Sequence, residues 1–209
     1  MRRTKEEAQE TRDALLDAAE AVFHREGVAR ATLSQIASEA KVTRGAIYWH
    51  FSGKAALFKA MCERVSAPEE EFFVEQAERR DGGTLANLRA LGLEMVRRFV
   101  ANGHAQRVHE ILLFRCEYVG EMSEALAERR EKEKAFDRAV LEAFDHARQA
   151  GELGAGWTSE LAAAALRCAV MGAISDWLRL DRGYDLMEVA ALLLDSLFAS
   201  YSRERPSRA

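Results

Sequence analysis

Apolar residues recur along this chain at three- and four-residue intervals, the spacing of helices that bury one face, and runs favouring strands are few. A first helix is predicted to begin at Lys5, opened by Thr4 and Glu7 as a capping box, with Leu15, Ala18, Ala19, Val22 and Phe23 as its inner stripe and Gly27 as its stop. Thr32 and Gln35 form a second capping box, behind which Leu33, Ile36, Ala37 and Ala40 share one face. Lys41-Val42 reads as a tight turn and Thr43 as the N-cap of a short third helix. That helix sends Ile47 and Phe51 to one side and Arg44 and Tyr48 to the other, each pair one turn apart. Ser52 then caps a fourth helix through Leu57, Phe58, Met61 and Val65, and Pro68 is expected to kink it or to end it and restart another.

Asp81-Gly82-Gly83 marks a loop, followed by a helix with Leu85, Leu88, Leu91 and Met95 at core spacing, ending near Asn102-Gly103. The next helix carries Val108, Ile111, Leu112 and Tyr118 and is expected to stop at Gly120. A long helix from about Ser123 to Ala150 has a charged first half, read as a solvated face, and a second half that buries Phe136, Val140 and Phe144. Two helices close the chain. One spans Leu161 to Leu180; the other, opened by a capping box of Asp185 and Glu188, repeats Val189, Leu192, Leu193, Ser196 and Leu197 at helical spacing. Both are apolar on most faces, so each must be covered on more than one side. Either they are a deeply buried core pair or they form a four-helix interface with a symmetry mate, at about 159–180 and 186–201.

Composition supports an all-α fold: 48% hydrophobic and 31% charged residues, with only 2 prolines in 209 positions. The net charge of −4 argues against nucleic acid until it is divided along the chain. Residues 1–66 carry 11 basic and 9 acidic side chains, the remainder 19 and 25, so any DNA-binding end is the N-terminal one. Cys62, Cys116 and Cys168 are dispersed, with no CxxC, and imply no disulfide framework; a reducing cytoplasm and no secretion signal are expected. The most apolar stretch, Leu161 to Leu178, contains Arg167 and Asp176, which speak against a membrane span. The C-terminal body has no phosphate-binding glycine loop, no HExxH and no nucleophile elbow, so neither an enzyme nor a cofactor or metal site is expected. His104 and His109 are badly spaced for one helical face, and Cys116 is read as a structural cysteine with a redox site as the rival.

A short helix with one buried side and Arg, Tyr and His on the rest suits a DNA major groove. The run Val42-Thr43-Arg44-Gly45-Ala46-Ile47-Tyr48-Trp49-His50-Phe51, with Lys54 after it, resembles the helix-turn-helix signature of the TetR family of one-component repressors. The resemblance spreads over about the first 60 positions. It implies a three-helix DNA-binding domain over 1–53 and a six-helix effector-binding and dimerisation domain over 54–209, with dimers formed through the last two helices. It also implies phosphate and sugar contacts by Thr43, Tyr48, His50 and Lys54. Arg44 is placed to meet a guanine edge in bidentate fashion, and Gly45 lets backbone approach DNA closely. Trp49 suits either groove wall or core. Thr32 at the helix start and a basic arm with Arg3 and Lys5 complete the DNA-binding set.

The segment from Ile111 to Met122 is similar to the AcrR-like subgroup that represses multidrug-efflux operons. That similarity implies a mostly apolar cavity for small hydrophobic or amphiphilic effectors, lined by Val65, Ser66, Leu88, Leu91, Met95, His109, Leu113, Phe136, Val140, Val170 and Met171. Ser66 stands where some relatives carry an acidic or histidine side chain; Glu63, Glu117 or Asp176 are the substitutes on offer. The expected protein is therefore a dimeric repressor of double-stranded operator DNA, released by such an effector and controlling an efflux operon. A regulator of lipid or aromatic-compound metabolism, a cysteine redox sensor and a ligand-independent architectural DNA binder are the alternatives.

Overall fold

The computed structural model describes residues 5–78, 84–117 and 120–202, which form helices α1 (Lys5–Glu26), α2 (Leu33–Glu39), α3 (Arg44–Tyr48), α4 (Lys54–Glu78), α5 (Thr84–Ala101), α6 (Gly103–Phe114), α7 (Glu121–Gln149), α8 (Ser159–Arg179) and α9 (Leu186–Tyr201). No strand occurs among these residues. Arg3 and the Thr4 cap, the Asp81-Gly82-Gly83 loop, Tyr118 and the tail from 203 onward lie outside the described residues.

The chain packs as two compact units, one of residues 1–67 with 104–131 and the other of residues 68–103 with 132–209. The first unit thus extends past residue 53 and takes in the early turns of α4, together with α6. Its interior holds Leu15, Leu16, Val22, Phe23, Val28, Ile36, Ile47, Leu57, Met61 and Ile111, each fully shielded from solvent. Burying such a side chain contributes about 1.5–3 kcal/mol. Phe23 and Phe58 meet edge to face with ring centroids 5.8 Å apart.

Local chemistry accounts for the helix ends here. Thr32 accepts from the Gln35 amide at 3.2 Å while Gln35 accepts from the Thr32 amide at 2.8 Å, so both arms of the capping box form. α2 ends in a Schellman turn, in which Val42 N–H reaches the Ala37 carbonyl at 3.0 Å and Lys41 N–H the Ser38 carbonyl at 3.1 Å. The turn places Lys41 at φ 56°, a conformation ordinarily given to glycine. Gly27 ends α1 at φ 79° as its position suggested.

Two expectations change and a third narrows. α4 opens at Lys54, its first bond running from Leu57 N–H to the Gly53 carbonyl at 3.1 Å, one residue beyond a start capped by Ser52. Of the two outcomes expected of Pro68, an end and restart does not occur, since α4 runs unbroken to Glu78. The proline removes one donor, the bond otherwise given to the Arg64 carbonyl, while flanking bonds keep the helix intact. α6 stops at Phe114 instead of reaching Gly120, with Arg115 N–H closing the last turn on Ile111 at 3.0 Å. The Arg115 carbonyl turns away to accept from Val28 at 2.9 Å, a long-range partner that periodicity does not reveal.

The second unit is built on α5, α8, α9 and the C-terminal half of α7 around one apolar cluster. Phe144, Leu194 and Tyr201 are its most shielded large side chains, and the Tyr201 hydroxyl donates to the Ala162 carbonyl at 2.8 Å. α5 and α9 cross at Gly92, where an added Cβ would come within 3.3 Å of Leu194 Cδ1. Asp185 caps α9 by accepting from the Met187 and Glu188 amides, a one-sided cap in place of the expected box. α8 and α9 each bury one stripe, Ala162, Leu166, Ala173, Ile174 and Trp177 on α8 and Leu186, Ala190, Leu194 and Phe198 on α9. Their other apolar stripe faces out: Leu161 and Met171 on α8, and Leu192 (64% exposed) and Leu193 on α9. α8 is long and apolar enough by composition to cross a membrane, a test that core helices of soluble proteins also pass. Both helices therefore have an inner face covered within the chain and an outer face that is not.

Candidate nucleic-acid interface

The surface around α3 is set by which residues the core claims. Ile47 and Phe51 are taken inward, with Arg12 of α1 lying over the Phe51 ring at 5.3 Å from its centroid. Thr43 caps α3 by accepting from the Ala46 amide at 3.3 Å. What remains outward is Arg44, Gly45, Tyr48 and Trp49, and the Arg44 guanidinium donates to the Tyr48 hydroxyl at 3.3 Å across one helical turn. Trp49 is 89% exposed, which assigns it to the surface and removes it from the core. His50 is half-buried beside Phe51.

Gly45 is not required by the fold. A Cβ placed there would meet only Thr43 Oγ1, at 3.8 Å, an ordinary contact. Glycine inside a helix costs up to about 1 kcal/mol relative to alanine, so its presence on an outward surface is unexplained by the chain's own packing.

The Lys54 side chain is engaged within the chain. Its ammonium donates to the carbonyls of Val28 at 3.0 Å and of Ala29 and Ala31 at 3.3 Å, tying the start of α4 to the loop between α1 and α2. Three carbonyl dipoles converging on one cation hold the side chain within the domain. Arg25 meets Glu39 at 3.3 Å, which offsets the acidic charge that α2 carries beside this surface. Thr32 and Lys5 are exposed, Thr32 in its capping box and Lys5 at the start of α1.

The residues assigned to an effector fall in two groups. Leu88, Leu91 and Val140 are buried in the cluster of the second unit, with Met95, Phe136 and Val170 packed against it; Phe136 tilts onto Phe73 at 4.4 Å. Met171 does not join them, because its helical phase puts it with Leu161 on the outward stripe of α8. Val65, Ser66, His109 and Leu113 belong to the first unit: Val65 is buried, Ser66 and His109 are half-buried and Leu113 is exposed. His109 Nδ1 lies 2.9 Å from the Ala105 carbonyl. Among the candidate acids, Glu117 is exposed, Glu63 half-buried, and Asp176 engaged by Arg179 at 2.5 Å. Cys62 is buried, Cys116 half-buried and Cys168 exposed; no disulfide links them. No group of three metal-ligating side chains occurs among the described residues.

Several participants escape sequence reasoning. The Lys54 clamp and the Arg12–Phe51 stacking join residues dozens of positions apart. Glu20 is only 2% exposed and lies among three basic side chains; its one sequence signal is a carboxylate set among Ala18, Ala19, Val22 and Phe23.

Comparison with known proteins matches residues 15–61 to bacterial regulatory proteins of the tetR family and residues 83–202 to the C-terminal region of MAATS-type transcriptional repressors. The HTH-type transcriptional repressor BepR of Brucella suis biovar 1 (strain 1330) is 36% identical over 200 residues, 96% of each chain. The structure of NalD, described as the secondary repressor of the MexAB-OprM multidrug efflux pump in Pseudomonas aeruginosa, matches at 36% identity with a TM-score of 0.81, covering 96% of this chain and all of that one. A SmeT–triclosan complex matches at 31% identity and a TM-score of 0.78, covering 93% of each chain.

Proposed function

This chain belongs to the TetR family of bacterial transcriptional regulators, and from that premise we propose that it is a dimeric repressor of a multidrug-efflux operon, released from its operator by a small hydrophobic or amphiphilic effector. The observation that carries the DNA-binding half is the division of α3 and the turn after it, where Ile47 and Phe51 enter the core while Arg44, Gly45, Tyr48 and Trp49 stay outside. Arg44 reads a base edge, Tyr48, Thr43 and His50 set the register on phosphates, Trp49 lies against the groove wall, and Gly45 lets the helix sit deep. Lys54 contributes by shaping the loop at 28–31, and the amides opening α4 are left for the phosphate. Residues 1–53 act as the reader and 54–209 as the sensor and dimerisation body.

One such module buries too little surface for tight binding, so two copies on a pseudo-palindrome are the natural arrangement. The outward apolar stripes of α8 and α9 suit a second copy, since Leu161, Met171, Leu192 and Leu193 would otherwise stay in water. The apolar residues around Leu88, Met95 and Phe136 suit an effector with little charge, with Ser66 offering no ion-pair partner. Such a regulator acts in the cytoplasm, and DNA binding rather than catalysis is its activity.

The test is selection of duplexes from a random pool by the purified chain, followed by titration of triclosan against the selected duplex. The reading expects an inverted repeat with half-sites about one helical turn apart and loss of the complex on adding triclosan or another efflux substrate. Selection of no preferred sequence, with a steep salt dependence, would return the protein to an architectural role.

A further inference from the structure

Within the first compact unit, α1 and α6 meet through charges of alternating sign. Glu20 and His24 are one turn apart on α1, and His104, Arg107 and Glu110 follow at three-residue steps on α6. Glu20 Oε2 lies 2.8 Å from His104 Nδ1, and its other oxygen accepts from Arg107. Arg64 of α4 adds a guanidinium at 3.5 Å and is itself held by Asp17 at 2.8 Å. One turn further the polarity reverses: His24 Nε2 lies 2.5 Å from Glu110 Oε2, with the Glu110 side chain 14% exposed.

This order of charges fits a single register. Sliding α6 by one turn in one direction brings Glu110 toward the buried Glu20. Sliding it the other way sets Arg107 against His24. The first move sets two shielded carboxylates together, and both moves strip the buried Glu20 of its partners, so shifted positions of α6 are disfavoured. α1 is in turn joined to the reading helices, by Arg12 over the Phe51 ring and by Arg25 on Glu39.

We propose that Glu20, His24 and Glu110 are positioning residues for operator binding: the ladder fixes α1 on α6 in one register, and α1 in that register sets the placing of α2 and α3 through Arg12 and Arg25. The proposal rests on the DNA-binding reading above. None of the three belongs to the set assigned to DNA contact, so their effect on operator affinity must pass through α1.

A double-mutant cycle tests it with His24→Gln, Glu110→Gln and the two together, on the duplex selected by the unaltered chain, at one salt concentration. Each single variant is expected to weaken binding to the selected duplex about fivefold or more, with binding to random duplex unchanged. The double variant is expected to be no weaker than the weaker single one, because both remove the same contact. Singles within about twofold of the unaltered chain, or effects that multiply in the double variant, would overturn the proposal. Equal losses on selected and random duplex would also overturn it, since they mark general damage to the fold. Glu20→Gln is the more buried change, and the pair at 24 and 110 keeps the test open should that variant fail to fold. If the unaltered chain selects no duplex, the DNA-binding reading falls and this proposal with it. If it selects one and the variants match it, only the ladder falls.

Discussion

The Lys54 ammonium donates to the Val28 carbonyl oxygen at 3.0 Å, closing a contact between the first turn of α4 and the loop that precedes α2. The same nitrogen reaches the Ala29 and Ala31 carbonyls, so one lysine orders the approach to the helix-turn-helix. Hydrogen bonds to a charged group are worth about 1.5–3 kcal/mol, with half-exposure lowering the return. Lys54→Met is expected to destabilise the chain by about 1–3 kcal/mol, read as a lower urea midpoint, with weaker operator binding as a consequence. Undiminished stability would return Lys54 to a direct phosphate contact.

Gly45 separates fold from function. Because a Cβ there meets only Thr43 Oγ1 at 3.8 Å, Gly45→Ala is expected to leave the chain as stable or up to about 1 kcal/mol more stable. Operator affinity should fall about tenfold or more if the helix backbone lies against DNA. Calorimetry and band-shift titration on one preparation check both halves.

Arg44 and Tyr48 touch each other but should respond differently to DNA. Arg44→Ala is expected to lose discrimination at one base pair of each half-site, about 1–3 kcal/mol, while Tyr48→Phe weakens all sequences alike. Both side chains are exposed, so neither change should unfold the protein. Competition between the selected duplex and single-base variants distinguishes the two outcomes.

The outward face of α9 predicts the oligomer. Leu192→Glu is expected to give monomers in sedimentation analysis, with no loss of helical content, since the side chain is 64% exposed within one chain. A variant that stays dimeric would place the second copy elsewhere.

Burial pushes the Cys62 thiol up from 9.0 to about 12, against the opposing pull of the Arg129 guanidinium. An unfolded thiol ionises first, so the stabilisation is complete below about pH 8.5 and is lost as pH climbs toward 12. The urea midpoint should fall between about pH 8 and about pH 10.5, and fall less in Cys62→Ala. At neutral pH a maleimide should leave Cys62 untouched until the chain unfolds.

Features that depend on neighbours along the chain are legible from residue spacing. The Thr32–Gln35 box, the Thr43 cap, the Gly27 stop and the split of α3 into Ile47 and Phe51 against Arg44 and Tyr48 all arise within one or two turns. Spacing is enough to see them. Only the tertiary structure decided where Glu20 and Lys54 find their partners, because His104 and Arg107 lie 84 and 87 positions from Glu20 and Val28 lies 26 from Lys54. It also decided that Lys41 adopts a positive φ, that α4 passes through Pro68, and that α6 ends at Phe114. Periodicity marks a helix as apolar all round but cannot separate the stripe of Leu186, Ala190 and Leu194 from that of Leu192 and Leu193. Both stripes have the same chemistry, and only the packing of α5 and α8 on one of them leaves the other facing out.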